Sequence, residues 1–147
     1  MAQECKTLGI HFNFAPVVDI NTNPKNPIIG VRSFGEQKEV VSSHSLALME
    51  GMQSSGVMAN AKHFPGHGDT ATDSHLGLPS INFSSERIDE VELYPFKKII
   101  QAGVSSVMVA HLDIPALDEG IPSSLSQKTV QVLLQDSLKF KGLVITD

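Results

Sequence analysis

The segment Lys62-His63-Phe64-Pro65-Gly66-His67-Gly68-Asp69-Thr70-Ala71-Thr72-Asp73-Ser74-His75 holds three histidines, two aspartates and a lysine within fourteen residues. Its two glycines let the backbone turn tightly, and loops so dense in titratable groups are more often functional than structural. Two chemistries compete for them. His63, His67, Asp69, Asp73 and His75 could converge on a divalent ion. Against that, Pro65, Gly66 and Gly68 break any helix that would align His63 with His67, and Lys62 beside the cluster repels a cation. The favoured reading is acid/base work by the Asp-x-His pair Asp73 and His75. A neutral imidazole titrates near pH ~6.5, so it can give and take a proton, and a carboxylate two residues away can fix its tautomer. The plainer alternative makes Asp73 a local turn acceptor and leaves His75 exposed.

Strand and helix alternate four times around this loop. A helix over residues 2–8 stops at Gly9, and Ile10–Pro16 is an apolar strand candidate ended by proline. An Asn/Pro-rich loop follows and runs to Gly35. From Glu36 to Ser54 the spacing turns helical, with Val41, His44, Leu48 and Met52 on one face. Val57–His63 is the second strand. Ser84 or Ser85 caps a helix over residues 86–101, with acidic residues early and Lys97 and Lys98 late, and Pro95 should kink or restart it. Ser106–His111 is the third strand. Ser126 caps a last helix with an apolar stripe of Val130, Leu133, Leu134 and Leu138, and Leu143–Ile145 is the fourth strand.

Strands spaced by roughly 40–50 residues and joined by helical crossovers predict a parallel sheet covered on both faces. Polar, reactive side chains fall at or just past the C-terminal ends of these strands: Asp19, Lys62 with His63, His111 and Asp147. A (β/α)₈ barrel builds its site on that face. A doubly wound sheet would show a glycine-rich phosphate turn, and none is present. The predicted fold class is therefore α/β, a (β/α)₈ TIM barrel of which this chain covers about half. Half a barrel leaves two strand edges open, to be covered by the remainder of a longer chain or by a second copy.

Composition narrows the partners. The 147 residues carry a net charge of −5 with no basic cluster, which argues against nucleic acid or an anionic membrane surface. Cys5 is the single cysteine, so no disulfide forms within the chain. No apolar run approaches the ~20 residues of a membrane span, and residues 1–20 lack a signal-type apolar core.

The string Lys-His-Phe-Pro-Gly-His-Gly-Asp-Thr, followed by Asp73-Ser74-His75-Leu76-Gly77-Leu78-Pro79, closely resembles the signature of family 3 glycoside hydrolases of the β-N-acetylglucosaminidase branch. Phe14–Asp19, Val31–Gly35, Glu92–Phe96, Val109–His111 and Gly142–Asp147 fit the same family, so the likeness spans the chain. It implies that residues 1–147 are a partial catalytic barrel domain. Upstream of it the family carries an aspartate that contacts the sugar, and further strands follow the position of Asp147. The implied reaction is retaining hydrolysis of terminal β-N-acetylglucosamine, from peptidoglycan fragments or chitin oligomers, without cofactor or metal. Asp147 would be the nucleophile and His75, oriented by Asp73, the acid and then the base. Arg32, Lys62, His63 and His111 would bind the sugar. Plainer roles stand beside these: a surface loop arginine for Arg32, a solvated side chain for Lys62, packing for His111. His67 and Asp69 are expected to shape the loop, Asp19 to be structural, and His44 to be a satisfied buried histidine. Transfer to phosphate in place of water, a non-catalytic sugar-binding remnant and a metal-dependent hydrolase remain the alternatives. Members of this branch occur in the bacterial cytoplasm and as exported or lipid-anchored forms.

Overall fold

The computed structural model of the chain describes residues 1–71 and 77–147. Asp73 and His75 lie outside the described residues. Helix α1 (Ala2–Thr7) closes just before Gly9, whose φ of 72° is the left-handed turn that frees the chain to start the sheet. Strand β1 (Phe12–Asn13) pairs in parallel with β2 (Met58–Phe64). It is shorter than the predicted Ile10–Pro16, because Pro16 has no N–H to give a ladder. The segment nevertheless follows β2: Ala15 O and Pro16 O accept from Asn60 N and Lys62 N, and Val18 N donates to Lys62 O. Thus Asp19 arrives at the C-terminal end of β2.

A single 3₁₀ turn, Gly30–Arg32, precedes α2 (Lys38–Ser54). Its buried residues are Val41, Ser42, Ser45, Met49 and Met52; Val41 and Met52 lie there as expected, Leu48 packs at the edge of the core, and His44 does not join them. His44 is exposed, its Nδ1 3.0 Å from Val40 O and its ring 5.5 Å from that of Phe34. Small Ser42 and Ser45 allow close approach to the sheet, where Ser45 reaches Val17 O at 3.5 Å.

Ser84 caps α3 (Ser85–Arg87), its hydroxyl accepting from Arg87 N at 3.3 Å. The chain then widens into a π turn, Ile88–Glu92, and tightens again as α4 (Leu93–Gln101). Pro95 accounts for the widening: it lacks the N–H that would bond Val91 O, and its ring would press on that carbonyl in a regular helix. Strand β3 (Ser106–Val109) is buried along its whole length, as a central parallel strand must be. A short α5 (Pro115–Asp118) leads to the π-type helix Lys128–Ser137, whose start is fixed by Ser126 Oγ accepting from Thr129 N at 3.0 Å. Strand β4 (Leu143–Thr146) ends the chain before Asp147.

The four strands lie in the order β1-β2-β3-β4, every pair parallel. Sequential order is that of a barrel wall; a doubly wound sheet reverses direction at a switch point. Helices α2 and α4 pack on each other and over β2, and Phe64 meets Phe96 edge-on at 5.3 Å. The core also takes in Met49, Met52, Ile99, Val107 and Leu134. No helix among the described residues is long and apolar enough to cross a membrane.

Candidate active site

Strand registers place the reactive residues on one rim. Lys62 aligns with Met108 and Ile145; one row further, Phe64 aligns with Val109 and Thr146. The register slips between Lys62 and Phe64, so His63 is the bulged residue, a device that re-aims a side chain. Asp147 follows on, its N–H donating to Val109 O at 3.0 Å.

Asp19 is the hub beneath this rim. Its carboxylate is 1% exposed and accepts His67 N at 2.7 Å, His63 N at 3.1 and 3.2 Å, and the ring Nδ1 of His63 at 2.7 Å. Burial by itself would push this carboxyl up. The His63 ring, through its charge and hydrogen bond, and the His67 N–H outweigh burial and hold it below the ordinary carboxylate range. The far side of the His63 ring meets Arg32 Nη2 at 3.4 Å. The arginine is steadied by a 3.2 Å bond from Nη1 to Ile28 O. Lys62 is partly buried between these groups. Burial first, and the Arg32 cation second, push its ammonium below the usual range, against the pull of Asp147 and Asp19.

The Asn/Pro-rich loop is the clamp that holds the His/Asp loop. Buried Asn26 donates from Nδ2 to His67 O at 2.8 Å, and its Oδ1 accepts from Ile28 N and Ile29 N. Asn23 Nδ2 reaches Asp69 O and Thr70 O, and Thr22 Oγ1 donates to Asp69 Oδ1 at 2.9 Å. His67 is buried, its Nδ1 2.6 Å from Thr70 Oγ1, and its Nε2 has no partner among the described residues. Burial pushes its imidazole below the usual range, although Asp19 pulls the other way. His67 and Asp69 therefore hold the loop through the side chains of Thr70 and Thr22. Gly68 has no room for a side chain, since a Cβ there would collide with the Ile20 carbonyl. His111, beyond β3, is partly buried with Nδ1 2.6 Å from Ser124 Oγ. Among the described residues no three His, Cys, Asp or Glu side chains are grouped to hold a metal ion.

Behind the loop, a Cβ on Gly66 would lie 2.9 Å from Glu92 Cβ, so the π turn supports the loop directly. The turn also brings Arg87 and Glu92, five residues apart, into an ion pair at 2.6 and 2.7 Å. Burial, only partly offset by Arg87, raises the Glu92 carboxyl above its ordinary 4.5. A raised carboxyl contributes most to stability below that value and loses the contribution as pH rises through its folded value. Arg87→Met should therefore cost about 2 kcal/mol at neutral pH, moderated because Arg87 is partly exposed, and clearly less at pH ~4. Urea melts at both pH values check this; an equal loss at each would contradict it. Neither Asn26 nor Glu92 stands out in the sequence. The runs Asn21–Asn26 and Glu92–Phe96 were the available signals, the second already part of the family string.

The description of the glycosyl hydrolase family 3 N terminal domain matches residues 1–147. β-Hexosaminidase A of Pseudoalteromonas piscicida is 40% identical over 159 residues, an alignment that covers all of this chain and 27% of that relative. A family 3 β-N-acetylglucosaminidase structure from Paenibacillus sp. str. FPU-7 superposes with a TM-score of 0.98 at 47% identity, covering 99% of this chain and 28% of that one. The native NagZ structure from Neisseria gonorrhoeae superposes with a TM-score of 0.93 at 35% identity, covering 99% of this chain and 42% of that one. The chain thus spans well under half the length of these relatives, and its four parallel strands with their helices form part of their barrel fold. By sequence and by fold, the chain belongs to glycosyl hydrolase family 3, within that family's N-terminal domain.

Proposed function

We propose that residues 1–147 are part of the catalytic barrel domain of an enzyme that hydrolyses terminal non-reducing β-N-acetylglucosamine from peptidoglycan fragments or chitin oligomers, with retention. The observation that carries this reading is the shared rim of Lys62, Arg32, His63 and Asp147 at the C-terminal ends of β2 and β4. Two strand spacings of ~4.8 Å set Lys62 and β4 roughly 10 Å apart, a gap suited to a pyranose ring. The names of the relatives, β-hexosaminidase and β-N-acetylglucosaminidase, agree with it.

In this mechanism an Asp147 oxygen attacks the anomeric carbon while the bond to the leaving oxygen breaks and that oxygen takes a proton from His75. Water then gives a proton to His75 and attacks the same carbon, releasing Asp147 and the sugar. Two inversions give net retention. Asp73 orients the His75 ring. Arg32, Lys62, His63 and His111 bind the sugar hydroxyls, and a satisfied charged donor is worth roughly 1.5–3 kcal/mol.

The test is hydrolysis of aryl β-N-acetylglucosaminides by the full-length protein. His75→Ala should slow substrates with poor leaving groups by about 10²- to 10⁴-fold. A dinitrophenyl glycoside, whose leaving group needs no proton, should be cleaved in its first step almost as fast as by the unmodified enzyme. Equal activity of His75→Ala on every substrate, or no hydrolysis by the folded parent, would remove the proposal.

A further inference from the structure

The segment that carries the His/Asp cluster leaves β2 through Gly66 and returns as residues 77–83. Both ends meet the same pair of side chains. At the outgoing end Gly66 is so close to Glu92 that a Cβ there would sit 2.9 Å from Glu92 Cβ and 3.1 Å from its Cγ. At the returning end the Phe83 ring faces the Arg87 guanidinium, whose carbon lies 4.7 Å from the ring centre, a cation–π contact. Arg87 Nη1 joins the two ends by reaching both Glu92 oxygens, at 2.6 and 2.7 Å. The returning limb is also tied beyond β3, where Ile81 N donates to Asp113 O and Asp113 N to Pro79 O, each at 2.9 Å.

This line of contacts depends on the irregular helix. Residues five apart project from well-separated sides of a regular helix of ~3.6 residues per turn. The π turn Ile88–Glu92 brings Arg87 and Glu92 to the same side. Glu92 is 7% exposed, and a carboxylate so enclosed stays ionised only where it is paired. What such a pair adds over two apolar side chains is direction: the charged hydrogen bonds fix Glu92 relative to Arg87, and through them Gly66 relative to Phe83.

We infer that Phe83, Arg87 and Glu92 are positioning residues for the acid/base pair, a clasp that sets both ends of the segment on which Asp73 and His75 stand. The inference rests on the glycosidase reading for the reaction it serves. An acid must come within hydrogen-bond reach of the leaving oxygen, and a misplacement of about 1 Å can cost ~10²-fold. Loosening either end of the segment therefore weakens proton delivery, whereas Lys62 and Asp147 are held by the strand ladder and do not depend on the clasp.

Two measurements on the full-length protein test this with Glu92→Gln, which keeps the shape, and Phe83→Leu, which removes the ring face. Should Glu92→Gln not fold, Arg87→Lys takes its place. The first measurement is kcat/KM, which reports the first bond cleavage, on phenyl and dinitrophenyl β-N-acetylglucosaminides. Each variant should lose roughly tenfold on the phenyl glycoside, whose leaving group needs a proton, and less than about twofold on the dinitrophenyl one. A merely structural role lowers both alike, so equal losses, or none on either substrate, overturn the inference. The second is amide hydrogen exchange. Glu92→Gln should speed exchange of the Ile81 N–H at the returning end, and Phe83→Leu that of the Gly66 N–H, bonded to His63 O at 2.8 Å. Changes confined to the substituted end overturn the clasp. A folded parent that hydrolyses neither glycoside overturns the glycosidase reading, and with it the role in proton delivery, while the exchange pattern still decides whether the two ends are coupled.

Discussion

Asp147→Asn, made in the full-length protein, is expected to lose roughly 10⁴-fold or more in kcat on an aryl β-N-acetylglucosaminide, the scale seen when a covalent catalyst is removed. Asp147 follows directly on β4, with its N–H tied to Val109 O at 3.0 Å, so the backbone that carries the carboxylate is held by a neighbouring strand. The carboxamide has the same shape and should leave that bond and the fold intact. A melting temperature like that of the parent would show it. A decisive control is Asp147→Gly with added azide, which should restore turnover and yield the α-glycosyl azide, because an external anion then attacks once in place of the carboxylate. Turnover of Asp147→Asn within about tenfold of the parent, with no azide rescue in the glycine variant, would assign the attack elsewhere.

The second large effect is on stability. Asp19→Ala removes the common acceptor of three N–H groups, two peptide and one ring, all in the interior. Each buried donor left without a partner costs about 1–3 kcal/mol, so a loss of several kcal/mol is expected. The pH dependence carries a sign. The folded Asp19 carboxyl lies below its ordinary 3.8, so the stability it contributes is complete above that value and is lost as pH falls through the folded one. The parent should therefore weaken on acidification more steeply than Asp19→Asn, with the two curves converging at the acid end. Parallel curves from urea melts between pH ~2 and ~7 would mean the carboxylate carries no such charge linkage.

Local signals in the sequence located most of the scaffold. Gly9 stops α1, Ser84 and Ser126 cap the helices that follow them, and β2, β3 and β4 fall within one or two residues of the apolar runs that announce them. These features depend on neighbours within a turn or a pleat, and the chain order shows such neighbours. Pro95 foretold a break in its helix, but not that the break takes the form of a π turn joining Arg87 to Glu92. On α2 the apolar spacing marks Val41 and Met52, but Ser42 and Ser45 are buried where His44 is not. Small side chains carry close packing that a hydrophobicity pattern overlooks.

The site was legible as a set of residue types and less so as an arrangement. Lys62, His63 and Asp147 were selected by their place at strand ends, and the register sets them along one rim. Asp19 was expected to be structural, yet its hydrogen bonds reach 44 and 48 residues along the chain to hold the His63 ring and the His67 amide. Asn26 likewise acts across 41 residues on the carbonyl of His67. Such partners are chosen by tertiary closure, and nothing in their immediate neighbourhood marks them.

The sequential order of the strands also sets a timetable for synthesis. In the order β1-β2-β3-β4, each strand pairs with the one made just before it, so no strand must wait for a distant segment to find its neighbour. Chains emerge from the ribosome N-terminus first, at roughly 5–20 residues per second. Asp19, Asn26, His63 and His67 are all present once residue 70 has emerged, whereas Asp147 follows 77 residues after Thr70. The partners of Asp19 and Asn26 are thus all made several seconds before Asp147, the proposed nucleophile, and a nascent chain stalled between them would carry that cluster without it.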